Sequence, residues 1–124
     1  MEHVTYLPAH EQARMIGAGE ISARDLLAAT EQRVEQFNPA LNAVIHMDLD
    51  AARTRAAEAD AATARGESWG PLHGVPMTIK ESFDVTGTPT TWGVVEHKDN
   101  IASSDALAVS RMKAAGVTLF GKTN

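Results

Sequence analysis

The 124-residue chain contains no cysteine, so disulfide bonds, thiolate nucleophiles and zinc–thiolate sites are excluded. It also lacks any apolar run near the roughly 18 residues that a membrane-spanning helix needs. Its first residues, MEHVTYLPAHEQ, are polar and show none of the apolar segment of a secretory signal peptide. We therefore expect a soluble, cytoplasmic protein that does not act at a membrane.

The chain has no block of like charges, and its formal net charge is −5 at pH 7. An acidic balance argues against a nucleic-acid partner, which would require a basic surface. The histidines show no ligand spacing to one another, so we predict no metal site. We expect His73 to be a solvated turn residue and His46 a hydrogen-bonded core residue. Trp69 and Trp92 flank loops, where each could line a pocket, although packing is the expectation for both.

Apolar residues make up 44% of the chain, which is enough for a core, and their spacing predicts helices. Residues 22–37 carry a stripe at helical spacing, with Ser22 as the N-terminal cap and Asn38-Pro39 as the stop. The alanine-rich segment DLDAARTRAAEADAATARGE predicts a second helix that ends near Gly66.

A third helix is predicted over residues 103–116, with Gly116 at its end. Ser104 or Asp105 is expected to cap it. Its buried stripe is expected to consist of Ala108, Met112 and Ala115.

Three short apolar runs predict strands, over residues 43–47, 75–80 and 117–120. We expect the first of these to be buried. The alternation of strands with helices indicates an α/β fold with a mostly parallel sheet covered by helices. No helix follows the run 117–120, yet a parallel strand needs both faces covered. We therefore expect the chain to be the truncated opening part of a larger domain.

Polar residues follow two of these strands. Lys80-Glu81-Ser82 comes after one, and Lys122-Thr123-Asn124 comes after the other. Ligands of open α/β sheets gather at the carboxyl ends of the strands, so we expect both clusters on one active rim.

Lys80 allows two interpretations. A lysine on a strand covered on both faces loses water, and desolvation favours the neutral amine that can act as a general base. Alternatively, Lys80 is a solvated strand-end residue that discourages edge pairing.

The stretch GVTLFGKTN matches the phosphate-binding P-loop pattern from Gly116 to Thr123. Its context does not fit, because a P-loop follows a strand and opens a helix. Here a helix precedes it, and Val-Thr-Leu-Phe favours strand over the turning backbone of a phosphate nest. A nucleotide-binding domain therefore remains the weaker alternative.

The segments GPLHGVPMTIKESFDVTGTPTTWG and SSDALAVSRMKAAGVTLFGKTN closely resemble the amidase signature family. The resemblance implies that residues 1–124 are the N-terminal portion of one α/β/α amidase domain. In this portion, residues 1–40 are a helical region and residues 41–124 begin the α/β core. Many members of the family carry aspartate where this chain has Glu81, and glutamate keeps the charge.

The resemblance also implies hydrolysis of carbon–nitrogen amide bonds in a small-molecule substrate, without metal or cofactor. Lys80 matches the lysine of the family's Ser–cis-Ser–Lys triad. Both serines of that triad lie in a glycine- and serine-rich segment downstream of GKTN, so the 124 residues alone are expected to be inactive. Four other serines do not stand in that motif and are not nucleophile candidates. They are Ser82, Ser103, Ser104 and Ser110.

Two further alternatives remain open. The chain also resembles the A subunit of a glutamyl-tRNA amidotransferase, although the TTWG and KES stretches look more like the stand-alone amidases. A non-catalytic binding module is the other possibility. Substrate specificity and oligomeric state are not determined by the sequence.

Overall fold

The computed structural model describes the backbone of residues 1–124 and every side chain except that of Glu2. The α-helices of this described chain are α1 (Ala9–Gly17), α2 (Ala23–Leu41), α3 (Leu49–Ala64) and α4 (Leu107–Ala114). The strands are β1 (Val44–Met47), β2 (Pro76–Lys80) and β3 (Thr118–Thr123). Two 3-10 helices, Glu2–Tyr6 and Val95–His97, complete the secondary structure. Within the described residues, no helix combines the length and apolarity needed to cross a bilayer.

Helix α2 begins as predicted but ends later. The hydroxyl of Ser22 accepts a hydrogen bond of 2.9 Å from the backbone N–H of Asp25. The predicted stop at Asn38-Pro39 is wrong, because the helix continues through Pro39 to Leu41. Pro39 lies in the last turn, where its missing N–H removes only one helical hydrogen bond. The side chain of Asn38 then accepts from the backbone N–H groups of residues 43 and 44, which ties the helix end to β1.

Helix α3 buries a stripe of small side chains against α2. These alanines are fully inaccessible to solvent: Ala52, Ala56, Ala59 and Ala62. Small side chains let the two helix backbones approach closely, so α2 and α3 form one layer of the core. Gly66 has a φ of 73° and donates to the carbonyl of Thr63, which confirms the predicted end of this helix.

The three strands form a mixed sheet in the order β1-β3-β2. β2 runs parallel to β3, whereas β1 runs antiparallel to it. The α/β fold class is therefore confirmed. Residues 117–120 were predicted as the last strand, and β3 is indeed the last strand, but it extends to Thr123 and is the central strand of the sheet. β1 was expected to be buried, but Ile45 and Met47 lie exposed on this edge strand.

Phe120 of β3 joins the sheet to the helices. Its side chain is 5% exposed and lies in one apolar cluster with Leu26 and Leu27 of α2 and the alanines of α3. Burying an aromatic ring of this size stabilises the fold by roughly 2–3 kcal/mol. The cluster fixes β3 in the middle of the sheet and so determines where the strand ends lie.

Helix α4 is shorter than predicted and is capped differently. Its N-cap residue is Ala106, and no side chain caps it. The predicted caps Ser104 and Asp105 are therefore wrong. The Asp105 carboxylate instead accepts from the Thr86 backbone N–H at 2.8 Å and from the Lys113 ammonium at 2.7 Å.

The predicted stripe of Ala108, Met112 and Ala115 is also displaced on α4. Ala108 is exposed, Met112 and Ala115 are half-buried, and Val109 is the fully buried residue. The helix starts at Leu107, later than predicted, and Val109 is its buried residue.

Candidate active site

Parallel pairing of β2 with β3 brings the two predicted polar clusters to the same edge of the sheet. Ile79 lies opposite Lys122, and Lys80 lies opposite Thr123. The backbone N–H of Glu81 continues the ladder by donating to the Thr123 carbonyl at 2.8 Å. The prediction of one shared rim is confirmed.

Lys80 lies at the open end of this rim. Of the two interpretations of this residue, the solvated strand-end position is the one that the structure shows, because the side chain is exposed. The reason is that β2 is an edge strand and Lys80 is its last residue. The side chain lines a cleft of about 250 Å³. The cleft is also lined by Ile45, Glu81, Ser82, Thr91, Trp92, Gly93 and Asn124.

Lys122 is the buried lysine of the rim, with 1% of its surface exposed. Its ammonium donates to the carbonyl of Pro89 at 2.6 Å and to the hydroxyls of Thr88 and Thr90 at 3.1 and 3.2 Å. Burial lowers the pKa of Lys122, although the charge of Glu81 opposes this effect.

Sequence reasoning missed the burial of Lys122 because it ended the strand at Phe120. The buried positions of β3 alternate as Thr118, Phe120 and Lys122. Extending the period-2 pattern by one step would have placed Lys122 on the same buried set as Phe120.

Glu81 is the buried carboxylate of the rim, at 8% exposure. It accepts from the backbone N–H groups of Thr91 at 2.6 Å and Trp92 at 3.2 Å, and also from the Thr91 hydroxyl. Burial by itself raises the pKa of Glu81, but these hydrogen bonds and the nearby Lys122 charge together hold that pKa below its ordinary value. Glu81 is therefore an ionised acceptor rather than a proton donor.

Trp92 forms a wall of the cleft and does not pack as predicted. Its φ of 57° lies in the left-handed region, which is uncommon for a bulky residue. Its side chain is 74% exposed. A strained backbone persists only where its surroundings hold it, and the hydrogen bond from Trp92 N–H to Glu81 supplies part of that restraint.

The sequence profile of the amidase family matches residues 25–124 of this chain. The chain belongs to the amidase family. It is 39% identical to an acylamidase of Rhodococcus erythropolis over 99% of its own length and 26% of the relative's. It is 40% identical to the A chain of a glutamyl-tRNA(Gln) amidotransferase of Acidothermus cellulolyticus, over 94% of its own length and 23% of that protein.

The fold of this amidase-family chain also matches solved structures. It superimposes on fatty acid amide hydrolase with a TM-score of 0.91 and 28% identity, over 98% of this chain and 22% of that one. The chain thus spans about a quarter of the length of the relatives that it matches.

The histidines of the amidase-family chain lie away from the Lys80 cleft. His73 was expected to be solvated, but it is 3% exposed. Its Nδ1 accepts from the Trp69 backbone N–H at 3.0 Å, so the proton lies on Nε2, within 3.1 Å of the Ala59 carbonyl. His46 was expected in the core, but it is only half-buried because β1 is an edge strand. Trp69 packs as predicted, with the Arg55 guanidinium 3.6 Å from its ring centroid.

The P-loop pattern is occupied by strand β3, so the nucleotide-binding hypothesis is wrong. A side chain at Gly121 would place its Cβ 2.4 Å from the His46 carbonyl oxygen, and one at Gly116 would lie 2.9 Å from the His73 Cα. Both glycines are explained by close backbone approach. Lys122 donates its hydrogen bonds to protein atoms.

Among the described side chains, no cluster of three or more histidine, aspartate or glutamate residues is placed to hold a metal ion. The rim therefore carries an exposed lysine, Lys80, beside two buried charged residues, Glu81 and Lys122, each of which is hydrogen-bonded to the loop of residues 88–92.

Proposed function

We propose that this chain forms the N-terminal part of a cofactor-free amidase that cleaves carbon–nitrogen bonds, with Lys80 as its catalytic base. The observation that supports this most is the position of Lys80 in the motif GVPMTIKES, at the carboxyl end of β2 and facing a cleft. That edge is where α/β folds hold their reacting groups. A cytoplasmic location is part of the same proposal.

The proposed chemistry needs Lys80 as a neutral amine. The amine draws a proton through a bridging serine, which activates a nucleophilic serine to attack the amide carbonyl. Backbone N–H groups stabilise the oxyanion, and the protonated Lys80 side chain returns the proton through the bridging serine to the leaving amine of the substrate. Water then attacks the acyl-enzyme and releases the acyl group as a carboxylic acid. The relatives are about four times as long as this chain. Additional residues of such a longer protein, packed against the rim, would remove water from Lys80 and so favour its neutral amine.

A chimera tests the proposal. This chain replaces the matching quarter of the Rhodococcus erythropolis acylamidase, and hydrolysis of an aryl acylamide is measured. We expect Lys80→Ala to lower kcat at least 10³-fold, as losses in a catalytic triad do. Lys98→Ala, which changes an exposed lysine, serves as the matched control and should retain activity. Equal activity of the two variants would refute the role of Lys80.

The 124 residues alone are expected to show no turnover, since both serines of the proposed triad are expected downstream of GKTN. The measurement is release of the aryl amine by the purified chain over hours. Turnover that Lys80→Ala abolishes would contradict this expectation, because it would show that the downstream serines are not needed. If the active chimera does not depend on Lys80, the non-catalytic interpretation of this chain gains support.

Glutamine is the second substrate to assay. The identity to the amidotransferase chain is 40%, against 39% to the acylamidase, so similarity does not separate the two activities. Ammonia release from glutamine, with no hydrolysis of aryl amides, would favour the amidotransferase. We expect the reverse, because the TTWG and KES stretches resemble the stand-alone amidases.

A further inference from the structure

The loop of residues 88–92 is held from two sides by charged groups. Lys122 donates to Thr88, Pro89 and Thr90. Glu81 accepts from Thr91 and Trp92. Each of the five successive loop residues therefore bonds to one of two side chains that lie on neighbouring strand ends.

The two charges also act on each other. Lys122 lowers the pKa of Glu81, and Glu81 raises that of Lys122 against the effect of burial. The charge of Asp84 also favours the charged form of Lys122. Lys80 lines the same cleft as Glu81. Because both groups are nearly inaccessible to solvent, their interaction is weakly screened and each supports the ionised state of the other.

The held loop is the wall of the cleft that Lys80 faces. Thr91, Trp92 and Gly93 line that cleft together with Lys80. The rest of the loop is paired with residues 100–102, through a bridge between Pro89 and Ile101 and a hydrogen bond of 2.9 Å from Thr90 N–H to the Asn100 carbonyl. Residues 91–92 have no such pairing with residues 100–102 in the described contacts. Glu81 accepts from both of their backbone N–H groups, and the Thr91 carbonyl accepts from the Val94 N–H at 3.0 Å.

We propose that Lys122 and Glu81 are paired positioning residues that hold residues 88–92, and above all Trp92, as the wall of the Lys80 cleft. That the cleft is a catalytic site rests on the proposed function. That Lys122 and Glu81 position the loop does not rest on it, so this part is tested without measuring catalysis. Lys122 acts through Glu81 and the loop, and it touches no reacting group.

The experiment is an NMR pH titration of the 124-residue chain. The amide protons of Thr91 and Trp92 bond to the Glu81 carboxylate, so their chemical shifts report its protonation. An unperturbed glutamate titrates near pH 4.3, and in the wild-type chain the midpoint should lie below that value. In Lys122→Met, which keeps an apolar stem of similar length, the midpoint should rise by at least half a pH unit. Lys98→Met should leave it unchanged.

Two further variants keep the test decisive if Lys122→Met does not fold. In Glu81→Gln, the Thr91 and Trp92 amides should no longer titrate in acid. The Trp92 indole N–H resonance should move, while that of Trp69 stays in place as an internal reference. Lys122→Arg keeps the charge and should preserve the wild-type midpoint.

The proposal is overturned if the midpoint is the same in wild type and Lys122→Met. It is overturned equally if the two amides titrate unchanged in Glu81→Gln, or if the Trp92 indole resonance does not respond. An inactive chimera, by contrast, would count against the proposed function and leave these outcomes intact.

Discussion

Replacing Gly121 by alanine should strongly destabilise the fold. A Cβ at this position would lie 2.4 Å from the His46 carbonyl oxygen and 3.2 Å from side-chain atoms of Val44 and Met47. Carbon–oxygen contacts need more than about 3 Å, so β1 would have to move away by about 1 Å. The contact is with backbone, which cannot rotate aside as a long side chain can.

The magnitude follows from the β1–β3 pairing. Gly121 lies opposite Met47 in that ladder, so the shift breaks two or three hydrogen bonds at about 1 kcal/mol each. We expect Gly121→Ala to lower the free energy of unfolding by about 2–3 kcal/mol.

Urea unfolding followed by circular dichroism measures this change. Gly17→Ala is the matched control, because nothing lies within 4 Å of a Cβ at the end of α1. It should be neutral or stabilising by up to about 1 kcal/mol. If Gly121→Ala changes stability by less than about 0.5 kcal/mol, the close approach of β1 and β3 is not as described.

Two further predictions concern buried polar groups. The hydroxyl of Thr118 is fully buried and has no hydrogen-bond partner among the described residues. In the same urea assay, Thr118→Val should therefore be neutral or stabilise the fold by about 1 kcal/mol. A loss of stability of more than about 1 kcal/mol would refute this prediction. The Lys113 ammonium and the Thr86 N–H lower the pKa of Asp105, and hydrogen bonds outweigh burial in lowering that of Glu81. Carboxylates of lowered pKa contribute stability above their unfolded pKa and lose it as the pH falls through the folded value. The free energy of unfolding should therefore decline below about pH 4, and less steeply in Asp105→Asn.

Local sequence signals predicted much of the fold. Ser22 capped α2 and Gly66 ended α3, because both act through their own backbone neighbours. The end of α2 was predicted too early. The helix continues past Pro39, and its end is held by the Asn38 side chain, which accepts from the backbone N–H groups of residues 43 and 44 beside β1. The direction of β1 was not predicted either, because pairing of distant strands leaves no local pattern.

The site was only partly predictable from the sequence. The shared rim followed from the order of strands and helices, but the sequence left the burial of Lys80 open and did not indicate that Lys122 is buried. Lys80 is exposed because β2 is an edge strand, and Lys122 is buried because β3 is central and the loop 88–90 closes over it. Both facts depend on tertiary neighbours that are far away in sequence.

The central claim is that Lys80, and not the buried Lys122, is the catalytic lysine. The most direct test compares Lys80→Ala with Lys122→Met in the acylamidase chimera, with kcat and thermal stability measured on the same samples. We predict that Lys80→Ala lowers kcat at least 10³-fold while the melting temperature is unchanged. Lys122→Met should lower the melting temperature and, because Lys122 holds the cleft wall and touches no reacting group, lower kcat far less than Lys80→Ala does. Loss of kcat with Lys122→Met at an unchanged melting temperature, and its retention with Lys80→Ala, would contradict the account.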